Sequence, residues 1–246
     1  MIKFFRKIRK NLLNEGKTTK YFKYAIGEII LVVIGILIAL QVNNWNIERL
    51  NKIEEQSYLK AIKTDLTKDV LQLKEEVSNI DIQLTTLEQT RKGLASDSTT
   101  INQNIAFTTS LVTTFTFVPE NATIDDLKSS GKLNLLTNKK VKDTLLSYYN
   151  FVDSRINAVN TSIITYARDI IAPSLMANYT LEYDYPESLI TEKSKIVNLN
   201  SEQKANQFLN NAVKYRLFIL SVLKEDYEDL IIQINELQTT LDTEIK

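Results

Sequence analysis

The chain has 246 residues with no cysteine and no histidine, 30 basic and 30 acidic side chains, and only 5 Gly and 3 Pro. The missing Cys removes disulfides and thiolate nucleophiles, and the missing His removes the commonest general base and most zinc sites, so the usual catalytic and metal constellations are excluded. Neutrality hides a separation, because residues 1–24 carry eight Lys/Arg and one Glu, net +7, which leaves −7 on residues 25–246 and no basic face that suggests nucleic acid.

Residues 1–23 interleave Ile2, Phe4, Phe5, Ile8, Leu12 and Leu13 with Lys3, Arg6, Lys7, Arg9 and Lys10. The pattern predicts a basic amphipathic segment on the cytoplasmic membrane surface, closed by Gly16. Each cation near anionic headgroups contributes about 1 kcal/mol.

Residues 24–45, YAIGEIILVVIGILIALQVNNW, read as a transmembrane signal anchor. From Ile29 to Leu40 every residue is apolar or Gly, and the 19 residues from Tyr24 to Val42 include only Glu28 and Gln41 as hydrophilic members. At about 1.5 Å per residue this crosses a hydrocarbon core of about 30 Å. The residues from Leu40 to Asn44 lack the small side chains that signal peptidase needs, so the span is expected to stay. The cations before it place the N-terminus in the cytoplasm and send residues 46–246 across the membrane. Glu28, Val32, Gly35 and Ala39 share one face, and Gly35 with Ala39 makes a small-xxx-small pair suited to close helix contact. For Glu28 three roles stand open: a hydrated place at the interface, a polar contact with a partner helix, or an ion relay.

After Trp45, helix-compatible sequence runs to Lys92, with Gly93 as its stop. Leu66, Val70, Leu73, Val77, Ile80, Leu84 and Leu87 keep a 4-3-4-3 spacing, as do Leu220, Leu223, Tyr227, Leu230, Ile234, Leu237 and Leu241 in a last helix expected from Ser201 to Ile245. Two such helices at opposite ends of a domain predict an antiparallel pair, in preference to a parallel dimer in which Asp69 would face Lys74 but Glu76 would face Asp81. Between them, Ile101 to Val118 is rich in Thr and aromatics and is read as helix up to Pro119. Thr123 with Asp126 predicts a capping box, and Gly131 the end of a short helix. A third long helix is expected from Asn138 to Ala172, stopped by Pro173, with Val141, Leu145, Tyr148, Val152, Ile156, Val159, Ile163, Tyr166 and Ile170 on its stripe. The connection from Pro173 to Asn200 carries Tyr179, Tyr183 and Tyr185 among acidic residues, and loops of that length are usually functional or loosely ordered. The fold class is therefore all-α: one transmembrane helix, then an elongated antiparallel bundle whose first and last helices are coiled-coil-like.

The remaining chemical options are thin. Asp125 with Asp126, and Glu225 with Asp226 and Glu228, read as solvated helix ends and faces. Ser129, Ser130, Gly131 and Lys132 resemble the end of a phosphate loop, but Asp126 stands where its first Gly belongs and Leu133 where its Ser or Thr belongs. The sequons at Asn121, Asn160 and Asn178 read as chance.

Three stretches, IKFFRKIRK, YAIGEIILVVIGILIALQVNNWN and TIDDLKSSGKLNLLTNKKVKDTLLSYY, resemble a family of uncharacterised single-pass inner-membrane proteins, a domain of unknown function abundant in Bacteroidota. The resemblance implies an inner-membrane anchor and a helical periplasmic domain, with Glu28 in the first shared motif and Ser130, Gly131 and Lys132 in the second. It brings no activity, cofactor or catalytic residue. The expectation is a non-enzymatic membrane-anchored scaffold without cofactor or metal. Its partners would be the lipid bilayer and other envelope proteins or a second copy of the chain. Ser130, Gly131, Lys132, Tyr179, Tyr183 and Tyr185 are its candidate interaction surface. The alternative is a small-ligand-binding sensory domain of four-helix-bundle type. Against it stands the absence of a second apolar span after Val42.

Overall fold

A computed structural model describes residues 18–95, 110–181, 196–198 and 202–246. The basic segment with Lys3, Arg6, Lys7, Arg9 and Lys10, and the loop residues Tyr183 and Tyr185, lie outside the described residues. The protein is all-α, and its one departure among the described residues is a two-stranded antiparallel ladder, β1 Tyr179–Leu181 with β2 Ile196–Asn198. The chain divides into two compact units, Met1–Gln56 and Ser57–Lys246.

The first long helix, α1, runs Thr18–Ala95. In the first unit every large apolar side chain from Phe22 to Ile53 is 46–64% exposed, so nothing described in the chain covers that surface. Among the described residues one helix is long and apolar enough to cross a membrane, and it is this one, near the N-terminus.

The second unit is organised around the last helix, α6, Glu202–Glu244. Lys63 pairs with Asp242, Gln238 donates to Thr67, and Lys224 reaches Asp81, so the partner number falls by 18 on α6 as it rises by 18 on α1. That is the antiparallel packing the two apolar stripes call for. Leu66, Leu73, Ile80 and Leu87 on α1, and Leu220, Leu223, Tyr227, Leu230, Ile234, Leu237 and Leu241 on α6, are all buried. Val77 and Leu84 are half-buried against the same core. The stripe on α1 is filled by the chain's own helices, extended upward by Leu59 and Ile62.

The third long leg also packs antiparallel to α6, with Asn138 donating to Glu244, Arg155 to Asp226, and Tyr166 stacked near Tyr215. It opens on Asn138, whose side chain accepts from the N–H groups of Lys140 and Val141 as an N-cap should. It consists of α3 Lys139–Phe151, a π turn Val152–Ile156, α4 Asn157–Tyr166, a second π turn Ala167–Ile171, and α5 Ala172–Asn178. Pro173 therefore does not stop the helix. Its ring and missing N–H fall against residue 169, inside the second π turn, where the ladder is already widened. The π turns also move the stripe. Beyond Ile163 the buried residues are Ala167, Ile171 and Leu175, whereas Tyr166 is only half-buried and Ile170 is 48% exposed. Four-residue steps drift round an α-helix of 3.6 residues per turn, and a π turn takes up that drift.

The second leg differs from expectation. Only Ser110–Val112 of its described part is helical, and 113–121 is not. Phe115 and Phe117 are buried while Val112, Thr114, Thr116 and Val118 are exposed, which is the period of two of an extended chain. The β-branched residues favour that conformation and Pro119 holds its predecessor in it. This stretch runs alongside α6, since Thr113 meets Arg216 and Phe117 meets Tyr227. The short helix α2, Ala122–Ser129, follows. Its N-cap residue Asn121 makes no side-chain cap, and Thr123 donates to Asp65 instead of closing a box with Asp126. Gly131 ends it in the left-handed region at φ 71°, before a 3-10 turn Lys132–Leu135. The 173–200 connection is shorter than expected, because α5 and the β ladder take its two ends.

Candidate functional site

The densest polar arrangement in the second unit joins the start of its α1 segment to α2 and α3. Asp69 has no exposed surface. Its Oδ1 accepts from the Glu120 N–H at 2.9 Å and its Oδ2 from the Tyr148 hydroxyl at 2.7 Å. One turn earlier, Asp65 accepts from Thr123, and Tyr58 donates to Asp126 at 2.5 Å. Tyr149 donates to the Glu120 carbonyl at 2.9 Å, and its ring meets Tyr148 edge-on with centroids 4.8 Å apart. Lys128 lies over the Tyr149 ring and Lys132 over the Tyr58 ring, each just under 6 Å from the centroid, at the range of a cation–π contact.

Spacing explains why these residues meet. Asp65 and Asp69 sit four apart on α1 beside Leu66 and Val70, so helical geometry carries two carboxylates to the edge of the apolar stripe. The extended stretch ending at Pro119 delivers the Glu120 N–H to one of them. Burial is the larger influence on Asp69 and raises its pKa above the ordinary carboxylate value, against the pull of its two donors. Burial, then the Asp69 charge, pushes Tyr148 far upward, so that hydroxyl keeps its proton and acts as a donor. The arrangement holds one buried carboxyl group between two donors. Its acceptors and donors are mutually satisfied, which suits a clamp better than a reacting centre.

The residues singled out from sequence are partly gathered here. The Ser130 hydroxyl donates to the Asp126 carbonyl at 2.6 Å, Gly131 provides the turn, and Lys132 covers Tyr58. Tyr179 of β1 stands opposite Asn198 of β2 in the ladder. Glu28, Val32, Gly35 and Ala39 belong to the exposed stretch of α1, where a Cβ added at Gly35 would meet nothing within 4 Å. Asp69, weighed from sequence only as a flanking charge facing Lys74 in a parallel dimer, is an interior acceptor. Tyr58, Asp65 and Arg216 were not singled out at all. The signal for Asp65 and Asp69 was their place beside the stripe; Arg216 had a similar signal, sitting among Ala212, Val213, Ile219 and Leu220 on α6.

A family model matches residues 28–161, more than half of the chain, from the apolar stretch of α1 through the carboxylate cluster to α4. The chain belongs to DUF6090, a family of unknown function. Every residue of the cluster lies within the DUF6090 match, and α6, which closes the bundle, lies outside it. Neither a curated protein nor a solved structure matches the chain.

Proposed function

We propose that this DUF6090 protein is a non-enzymatic scaffold, anchored by one inner-membrane span with its N-terminus in the cytoplasm, whose periplasmic bundle binds other envelope proteins or a second copy of itself. The observation that carries the reading is the stretch from Phe22 to Ile53, with all its large apolar side chains about half to two-thirds exposed. In water such a surface demands a cover, and its most apolar part, Tyr24 to Val42, matches a hydrocarbon core of about 30 Å at about 1.5 Å per residue. The cations of residues 3–23 favour the cytoplasmic side for the N-terminus. The packing of the bundle supports binding at its surface. Tyr148 and Tyr149, which would line a ligand pocket in a sensor, are buried and hydrogen-bonded within the bundle. A small-ligand sensory domain is the second reading, favoured by the interior charge taken up below.

The test is photocrosslinking in intact cells from Gly35, Ser130 and Tyr183, combined with a reporter fused after Lys246. A single recurrent envelope protein, or the chain itself, with the reporter active outside the cytoplasm, is the expected result. A reporter active in the cytoplasm, or no protein adduct from any of the three positions, overturns the reading.

A further inference from the structure

Arg216 on α6 is a cation in the wrong surroundings. It has no exposed surface. A charge taken out of water is tolerated when it is paired and its donors are filled, and costs several kcal/mol otherwise. Its Nη2 donates to the Thr113 carbonyl at 2.6 Å, a neutral acceptor. Its Nε and Nη1 are buried with no hydrogen-bond partner. No carboxylate among the described residues forms a salt bridge with it, whereas Lys63, Arg155 and Lys224 each find one on the surface. Burial lowers its pKa to about 10, which still leaves the guanidinium charged at neutral pH. Tyr166 and Tyr215, their rings tilted at 42° to one another, stand close enough to act on its charge, and the extended stretch that begins at Thr113 runs past it.

We propose that Arg216 anchors an interior site for a small monocarboxylate, whose oxygens take the unfilled guanidinium donors while its organic body lies against Tyr166 and Tyr215. The guanidinium fork matches a carboxylate in plane and spacing. One buried cation balances one negative charge, so a doubly charged phosphate would bring an uncompensated charge into the core. The aromatic pair gives an organic body something to pack on, which an inorganic anion lacks. The site joins α4, α6 and the 110–118 stretch, so occupancy would tie three legs together. It does not depend on the scaffold reading, and either can fail alone.

The experiment is thermal unfolding of the full-length protein in detergent with acetate, butyrate and benzoate, against chloride and inorganic phosphate at matched ionic strength. The expected result is a saturable rise in Tm with the carboxylates, largest for benzoate, and none with phosphate. Arg216→Met should melt at or above the wild-type temperature without ligand, because it fills the space and removes the charge, and should lose the carboxylate response. Arg216→Lys keeps the charge but not the fork, and should need at least about ten-fold more benzoate for the same rise. A wild-type protein that ignores all three carboxylates overturns the proposal. So does a response that survives in Arg216→Met, or one that phosphate reproduces. If the wild type is unresponsive and Arg216→Met melts several degrees lower, the charge is paired within the chain and the site does not exist.

Discussion

Helix α1 carries two kinds of apolar surface in one continuous element. From Phe22 to Trp45 the apolar residues face every direction and stay exposed, while from Leu59 to Leu87 they keep to one stripe and are buried. A helix apolar all round asks for lipid or a protein interior, and a striped one asks for partner helices on one side only. The difference lies in the placing of polar residues: after Trp45, charges recur in nearly every turn and leave only the stripe dry.

The comparison breaks most severely in the stripe. Leu73→Ala empties a fully buried position and should cost about 2–5 kcal/mol of bundle stability by chemical denaturation, while Leu37→Ala in the exposed stretch should leave that transition unchanged. Exchanging the chemistry sharpens the other half. Ile34→Arg should raise the apparent insertion free energy by about 2.5–3.5 kcal/mol in a translocation assay, and Leu71→Arg, at a 64% exposed position, should alter neither insertion nor folding measurably. A smaller effect is expected where α2 ends. Gly131→Ala meets no steric obstacle, so its loss of about 1–2 kcal/mol would come from the left-handed backbone alone; an unchanged Tm would show the turn to be pliable.

The smallest is a slope with pH. Asp69 binds its proton more tightly folded than unfolded, so its contribution to stability is complete below the ordinary carboxylate pKa and is lost as pH rises through the folded value. The wild-type Tm should fall relative to that of Asp69→Asn across that window. Parallel curves would mean that the two donors just offset burial, and a relative rise that they outweigh it.

The span, the two matched helices and their antiparallel pairing were legible because apolar periodicity acts over many residues and averages out local noise. What escaped was set by single positions. Thr113 to Pro119 alternates with a period of two and its Thr and Phe favour an extended chain, but so short a run is not told from a helix by periodicity alone. The four-residue steps from Val159 to Leu175 carried the sign of π turns, although Pro173 seemed a simpler stop. Thr123 lies inside α2, one residue past its start, and its hydroxyl donates to Asp65, which is distant in sequence. The cluster's chemistry was hidden for the same reason: Asp65, Asp69, Glu120, Thr123 and Tyr148 become neighbours only once three legs have been laid side by side.

The antiparallel register has a mechanical consequence. Because Lys63 faces Asp242 and Asn138 faces Glu244, the first and last residues of the second unit emerge at the same end of its bundle. Tension applied between those two points would load the contacts one pair after another, as in unzipping, and would not shear them all together. The force at which opening starts would therefore be set by the pairs nearest that end, Lys63 with Asp242 and Asn138 with Glu244.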